Sequence, residues 1–190
     1  MPPRYRSLAE LLRGELVTAE DRPTAALVRE LRHVRRAKQF SRAEFIKMCR
    51  WKSSRAIQHY RRNTTAAIRR TSREVLRTRN ERRRMELLTR LQGVSVPTAS
   101  AILTLIDPER YGVIDIRAWQ LLFQIGAVEK KPGGVGFAFA DWDRYLAILR
   151  EHARALHVPV RRVELTLFEY HRKTQKGRLY NQRASRSGKG

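Results

Sequence analysis

Apolar residues recur at three- and four-residue intervals along most of this chain, and almost nowhere do they alternate with polar ones. That period is helical. Ser7-Leu-Ala-Glu10 and Ser41-Arg-Ala-Glu44 read as capping boxes, predicting helices that start near residues 8 and 42. Between them Pro23 opens a helix with Leu27, Val28, Leu31 and Val34 on one face and Arg29, Arg32, Arg35 and Arg36 elsewhere. Further helices are predicted over 53–62, 65–78 and 80–92. The last carries Met85, Leu87, Leu88 and Leu91 and ends at Gly93, a C-terminal cap.

The texture changes after residue 107: Asp107-Pro108, then Gly112, then the short apolar run Val113-Ile114, then a helix from Ile116 to Phe123. A long loop is expected at 127–138. Its Lys131-Pro-Gly-Gly-Val-Gly136 has glycines like a phosphate cradle, but neither a preceding strand nor a following Gly-Lys-Ser/Thr. Helices at 141–156 and 159–172 follow, the second opened by Pro159. From Lys173 the chain is basic and poor in apolar residues, so 173–190 is expected to be a disordered tail until it meets phosphate. The fold class is all-α.

Charge narrows the partner. Lys and Arg outnumber Asp and Glu 41 to 18, a formal charge of +23, and arginine supplies nearly all the excess. Its planar fork suits phosphate oxygens, so the expected partner is a polyanion. No apolar run approaches the roughly 18 to 20 residues that span a bilayer, and the first 25 residues are too charged for a secretory signal. The expectation is an intracellular protein, cytoplasmic or nucleoid-associated, without a membrane partner. Cys49 is the single cysteine, a buried thiol by its neighbours Phe45, Ile46 and Met48, and it excludes an intramolecular disulfide or a four-cysteine iron–sulfur cluster. The five histidines show no metal-ligand spacing with cysteine or carboxylate, so no metal and no cofactor is expected.

Chemistry concentrates in Leu91-Gln-Gly-Val-Ser-Val-Pro-Thr-Ala-Ser-Ala-Ile-Leu103: a helix end, a tight apolar turn around Val94, and a new helix near Pro97 or Thr98. N–H groups of such a hairpin lack internal partners and carry the positive end of the helix dipole, so together they hold a phosphate oxygen. Gly93, Val94, Ser95 and Thr98 are the candidates. Seen alone, the pattern fits an ordinary helical hairpin equally well.

Residues 91–119 resemble the helix-hairpin-helix (HhH-GPD, endonuclease III) DNA glycosylase superfamily. Hairpin Gly93, loop residues Pro108 and Gly112, and Asp115 within Val113-Ile-Asp-Ile-Arg117 stand in that family's order and approximate spacing. The resemblance implies a two-lobed helical glycosylase fold acting on double-stranded DNA with an extruded base, as a monomer. It also implies that Asp115 stabilises an oxocarbenium-like sugar and activates water. Two departures qualify it. Pro97 stands where bifunctional members carry the lysine that attacks the sugar, so the implied enzyme is monofunctional; Ser95 replaces the hairpin's second glycine. Asp115, just before a helix, also reads as that helix's N-cap, and the two roles are compatible.

A flipped base needs a pocket and a side chain to fill its place. Trp51, Lys52 and Trp119 are the pocket or stacking candidates, although each tryptophan also reads as core. Residues 61–90 hold eleven arginines against three glutamates; Arg69, Arg70, Arg73 and Arg77, at helical spacing, and Arg117 are assigned to phosphate. The expected organisation is an N-terminal helix (1–24) packing with the C-terminal lobe, a helical lobe (25–110) containing the hairpin at about 85–105, a C-terminal lobe (111–172) and the tail. A non-catalytic helix-hairpin-helix DNA-binding protein is the alternative to the enzyme. RNA binding is a third reading, because arginine-rich helices do not distinguish the polymers.

Overall fold

A computed structural model describes residues 4–176 and Leu179. The fold is all-helical, with no strand among the described residues. In chain order the helices are α1 (Leu8–Glu15), α2 (Arg22–Glu30), α3 (Arg32–Ala37), α4 (Arg42–Lys52), α5 (Ile57–Arg61), α6 (Thr65–Arg77), α7 (Glu81–Thr89), α8 (Val96–Ile106), α9 (Ile116–Gln124), α10 (Phe139–Leu156) and α11 (Val160–Thr174).

Local chemistry sets most of the boundaries. Ser41 and Glu44 form a complete capping box on α4. Ser7 accepts from the Glu10 N–H, but Glu10 returns its carboxylate to the N–H of Arg6 instead of Ser7, so that box is displaced by one residue. Asp21, Thr64, Asn80 and Asp115 cap α2, α6, α7 and α9 through their side chains. Each satisfies an N–H that the first turn would otherwise leave bare.

Three expected segments differ. The stretch opened by Pro23 is two helices, not one: the chain bends at Leu31, which keeps both Leu31 and Val34 in the core along α8. The stretch 53–62 is helical only over α5, because Ser53 is extended and ends α4 with its N–H on the Cys49 carbonyl. Residues 173 and 174 belong to α11 rather than to a tail. The expectation for residues 177, 178 and 180–190 lies outside the described residues.

Helix α8 is the axis of the molecule. It is apolar on every side, every residue from Thr98 to Ile106 is buried, and α2, α3, α4, α7 and α10 all pack on it. A helix without a polar face has no stable place except inside. Around it α6 pairs with α7 and α4; on the far side α11 gathers α1, α9 and α10. One continuous apolar core runs through both groups. The segment between α1 and α2 is strapped across α11: the Val17 N–H donates to Thr166 Oγ1 at 3.2 Å, and Arg162 donates to the Val17 carbonyl at 3.1 Å. Among the described residues no helix is long and apolar enough to cross a membrane.

Candidate active site

Between α8 and α9 the chain runs non-helical and buried through Tyr111, Gly112, Val113 and Ile114 before surfacing at Asp115. Non-helical backbone inside a helical protein must find partners outside a helix ladder. The Ile114 N–H donates to Ser100 Oγ of α8 at 3.1 Å, and the Val113 carbonyl accepts from the Tyr145 hydroxyl of α10 at 2.9 Å. The Val113 N–H donates to Glu164 of α11 at 3.2 Å. Upstream, Glu81 of α7 receives the Tyr111 hydroxyl at 3.0 Å and Arg150 of α10 at 2.9 Å. Burial, chiefly, pushes the Tyr111 phenol up to about 12, so it remains a donor. Gly112 has no room for a side chain, since a Cβ there would meet Leu149 at 2.6 Å and Glu164 at 2.9 Å. Four helices thus fix the approach to Asp115.

Asp115 caps α9, one carboxylate oxygen accepting from the Ala118 N–H at 3.0 Å. Its other oxygen lies 3.6 Å from the Lys52 ammonium at the end of α4, the two side chains being 12% and 19% exposed. A carboxylate delivered on α9 and an amine delivered on α4 therefore meet, partly shielded but open to solvent, where two helix ends converge. Behind them Glu164, 1% exposed, is bonded by Arg161, which also grips Glu20 at 2.7 Å and 3.0 Å and stacks its guanidinium 5.5 Å over Trp51. Burial raises the Glu164 carboxyl and the Arg161 guanidinium pulls it the other way. His171, 1% exposed, has neither ring nitrogen bonded, and Nη1 of Arg117 is likewise buried without a partner. Among the described residues no group of three His, Cys, Asp or Glu could hold a metal ion.

The hairpin is built as the glycine and the proline required. Gly93 has φ +83°, Pro97 sits in the first turn of α8, and Gly93 and Ser95 are exposed. Ser95 does not cap α8 with its hydroxyl, which lies 3.2 Å from Thr98 Oγ1, so the first turn keeps N–H groups without intrahelical partners. Two of the sequence-named hairpin residues face elsewhere. The Val94 side chain is buried and its N–H is taken by the Leu91 carbonyl at 3.1 Å; Thr98 is buried, with its hydroxyl against Ser95 Oγ. The residue that shapes the turn is Asn63, buried, whose amide accepts from the Gln92 N–H at 2.8 Å and donates to the Gln92 carbonyl at 3.0 Å. Nothing in the sequence distinguishes this asparagine from any other that precedes a helix.

Of the pocket or stacking candidates, Trp119 takes the core role that its sequence position also allowed. It is 2% exposed, its N–H is spent on the Lys130 and Lys131 carbonyls, and its ring packs edge-on against Phe137 at 5.2 Å. The helical period of α9 turns it inward with Ala118 and Leu122, where it anchors the loop after that helix. Trp51 is half-buried, donates to Thr24 Oγ1 at 2.9 Å and borders an open groove between α2 and α4, with Pro23, Leu27, Ile46 and Arg50. Arg69, Arg70, Arg73 and Arg77 are all exposed along α6, which packs on α4 and α7, whereas α9 packs on α11. They do not join Asp115 in one cluster. The Lys131 amine bonds the Gly136 carbonyl and Asp141, closing the glycine loop on itself.

The fold and the site define an all-helical protein with a glycine hairpin and a lysine-paired carboxylate at a helix N-terminus. No protein-family model, no curated protein and no solved structure matches the chain.

Proposed function

We propose that this chain is a monofunctional DNA N-glycosylase of the helix-hairpin-helix type, which hydrolyses the bond between a damaged or modified base and its deoxyribose. The observation that carries the reading is Asp115: an accessible carboxylate at a helix N-terminus, brought there by a buried segment clamped to α7, α8, α10 and α11. A group held this firmly needs no reorganisation when charge develops opposite it. The base leaves with the bonding electron pair, and the sugar turns oxocarbenium-like. Asp115 faces that positive charge and takes the proton of the water that attacks C1′. The products are a free base and an abasic site. Pro97 stands where the family's lyase lysine would, which is why the proposed enzyme is monofunctional.

In this reading double-stranded DNA crosses the seam between two lobes, α2–α8 on one side and α1 with α9–α11 on the other, and the enzyme acts inside the cell as a monomer. The N–H groups at Gly93 and Ser95 hold one phosphate. Arg117 and the exposed arginines of α6 bind others, in keeping with the charge of +23.

The test is release of free bases from a panel of damaged and modified duplexes, with Asp115→Asn beside wild type. Asparagine retains an oxygen for the Ala118 N–H, so the helix cap survives, while base release falls at least about a hundredfold. Unchanged release, or none from any duplex by wild type, refutes the enzyme. One observation favours a second reading, a non-catalytic DNA-binding protein: both carboxylate oxygens already have partners, Ala118 and Lys52. In that case Asp115→Asn alters neither release nor affinity. Competition between duplex DNA and structured RNA at matched salt decides the polymer.

A further inference from the structure

Among the described residues one large apolar side chain is conspicuously exposed: Val135, at 54%. It stands on the loop 131–136, whose construction is rigid. Gly134 and Gly136 have φ +64° and +67°, conformations that L side chains rarely adopt. The loop's base is tied to α9 by the Trp119 N–H, which donates to the Lys130 and Lys131 carbonyls, and by the Gln120 amide, which donates to the Gly133 carbonyl at 3.1 Å. The Lys131 amine closes it from the other end on the Gly136 carbonyl at 2.6 Å.

This loop is seated on the first turn of α9, at the residue that follows Asp115. A Cβ on Gly134 would lie 2.9 Å from the Ile116 carbonyl oxygen and 3.1 Å from the Ile116 Cα, so only glycine lets the backbone press this close. Ile116 follows Asp115. With consecutive Cα atoms about 3.8 Å apart, the Val135 and Asp115 backbones lie within about 12 Å of each other. A β-branched side chain on a braced loop is stiff, and here it points at water, where it contributes nothing to the core. Lys130, just before the loop, is exposed, and the Leu179 carbonyl shares the Gln120 amide.

We infer that Val135 is the wedge that enters the base stack of double-stranded DNA and fills the place of the extruded nucleotide. The inference rests on the glycosylase reading and gives the gap-filling task to a loop residue instead of Trp51, Lys52 or Trp119. Stacked bases are dry and apolar, so the group that replaces one must be apolar, rigid and near the reacting carboxylate; Val135 is apolar, its loop is braced, and its backbone lies within about 12 Å of Asp115.

The experiment measures binding to a duplex with one tetrahydrofuran abasic analogue, in which the gap is already made, against the same duplex intact, for wild type, Val135→Ser and Val135→Leu. Wild type should prefer the gapped duplex. Val135→Ser should lose about tenfold of that preference, the scale of one buried aliphatic contact, while its affinity for intact duplex stays within about twofold. Val135→Leu should keep the preference. Since Val135 is exposed, neither substitution reaches the core. An undiminished preference in Val135→Ser, an equal loss on both duplexes, or no preference in wild type overturns the inference. Base release by wild type is read separately. If bases are released and the serine variant keeps the gap preference, the wedge alone fails; if wild type neither releases bases nor prefers the gap, the glycosylase reading fails with it.

Discussion

Replacing Gly93 by alanine puts the hairpin to a quantitative test. With φ +83° the position costs an L-residue roughly 1–2 kcal/mol in backbone conformation alone. The added methyl would also lie 2.8 Å from His59 Cβ and 2.9 Å from Tyr60 Cδ1. Tyr60 has little room to yield, because its ring is buried and packs edge-on to Phe45 at 6.3 Å. Overpacking of this kind costs about 1–3 kcal/mol, so Gly93→Ala should lose about 2–5 kcal/mol in all. For a chain of this size that lowers Tm by roughly 10 °C. Gly126→Ala separates the two contributions: its φ is +72°, but nothing lies within 4 Å of the added Cβ, so only the conformational cost of about 1–2 kcal/mol remains. Thermal unfolding of wild type and both variants, followed by far-ultraviolet circular dichroism, reads the difference. If Gly93→Ala is no more destabilising than Gly126→Ala, the close approach of α5 to the hairpin is wrong. With it would go the reason for a glycine at the turn proposed to hold phosphate.

Asn63→Ala strips both bonds to Gln92 from a buried site, and should cost about 2–4 kcal/mol in urea unfolding; a loss below about 1 kcal/mol would show that the turn stands without them. His171 should make stability depend on acid. Burial first, and the Arg117 charge second, hold its imidazole below the ordinary 6.5, with Asp115 opposing. The folded chain thus binds this proton more weakly than the unfolded chain does. The contribution is complete above pH 6.5 and is lost as pH falls through the depressed folded value. Tm should therefore fall on acidification below 6.5, and His171→Leu should flatten that fall; an identical profile in the variant would remove His171 from the account. Trp119→Phe keeps a ring in the core but drops the N–H shared by two loop carbonyls, at about 1 kcal/mol. Hydrogen exchange should quicken over residues 127–138 and not over α8, and equal quickening in both would contradict an anchoring role.

The arginine excess and the helical period are properties of composition and near neighbours, and they were legible without coordinates. So were the capping box at Ser41, the hairpin glycine, Pro97 and Asp115 ahead of a helix, because a cap is a bond between residues three apart. The bend at Leu31 was not legible: apolar spacing runs unbroken from Leu27 to Val34, and only the course of α8 decides that two helices follow it better than one. Nor could periodicity tell whether Trp119 faced a ligand or the interior, since both place it on the same side of α9. The meeting of Lys52 with Asp115, Asn63 with Gln92, and Arg161 with Glu20 joins segments far apart in the chain. Each of those residues is ordinary in its own neighbourhood. What makes them a site is which helix ends the packing around α8 brings together, and that is a property of the whole core.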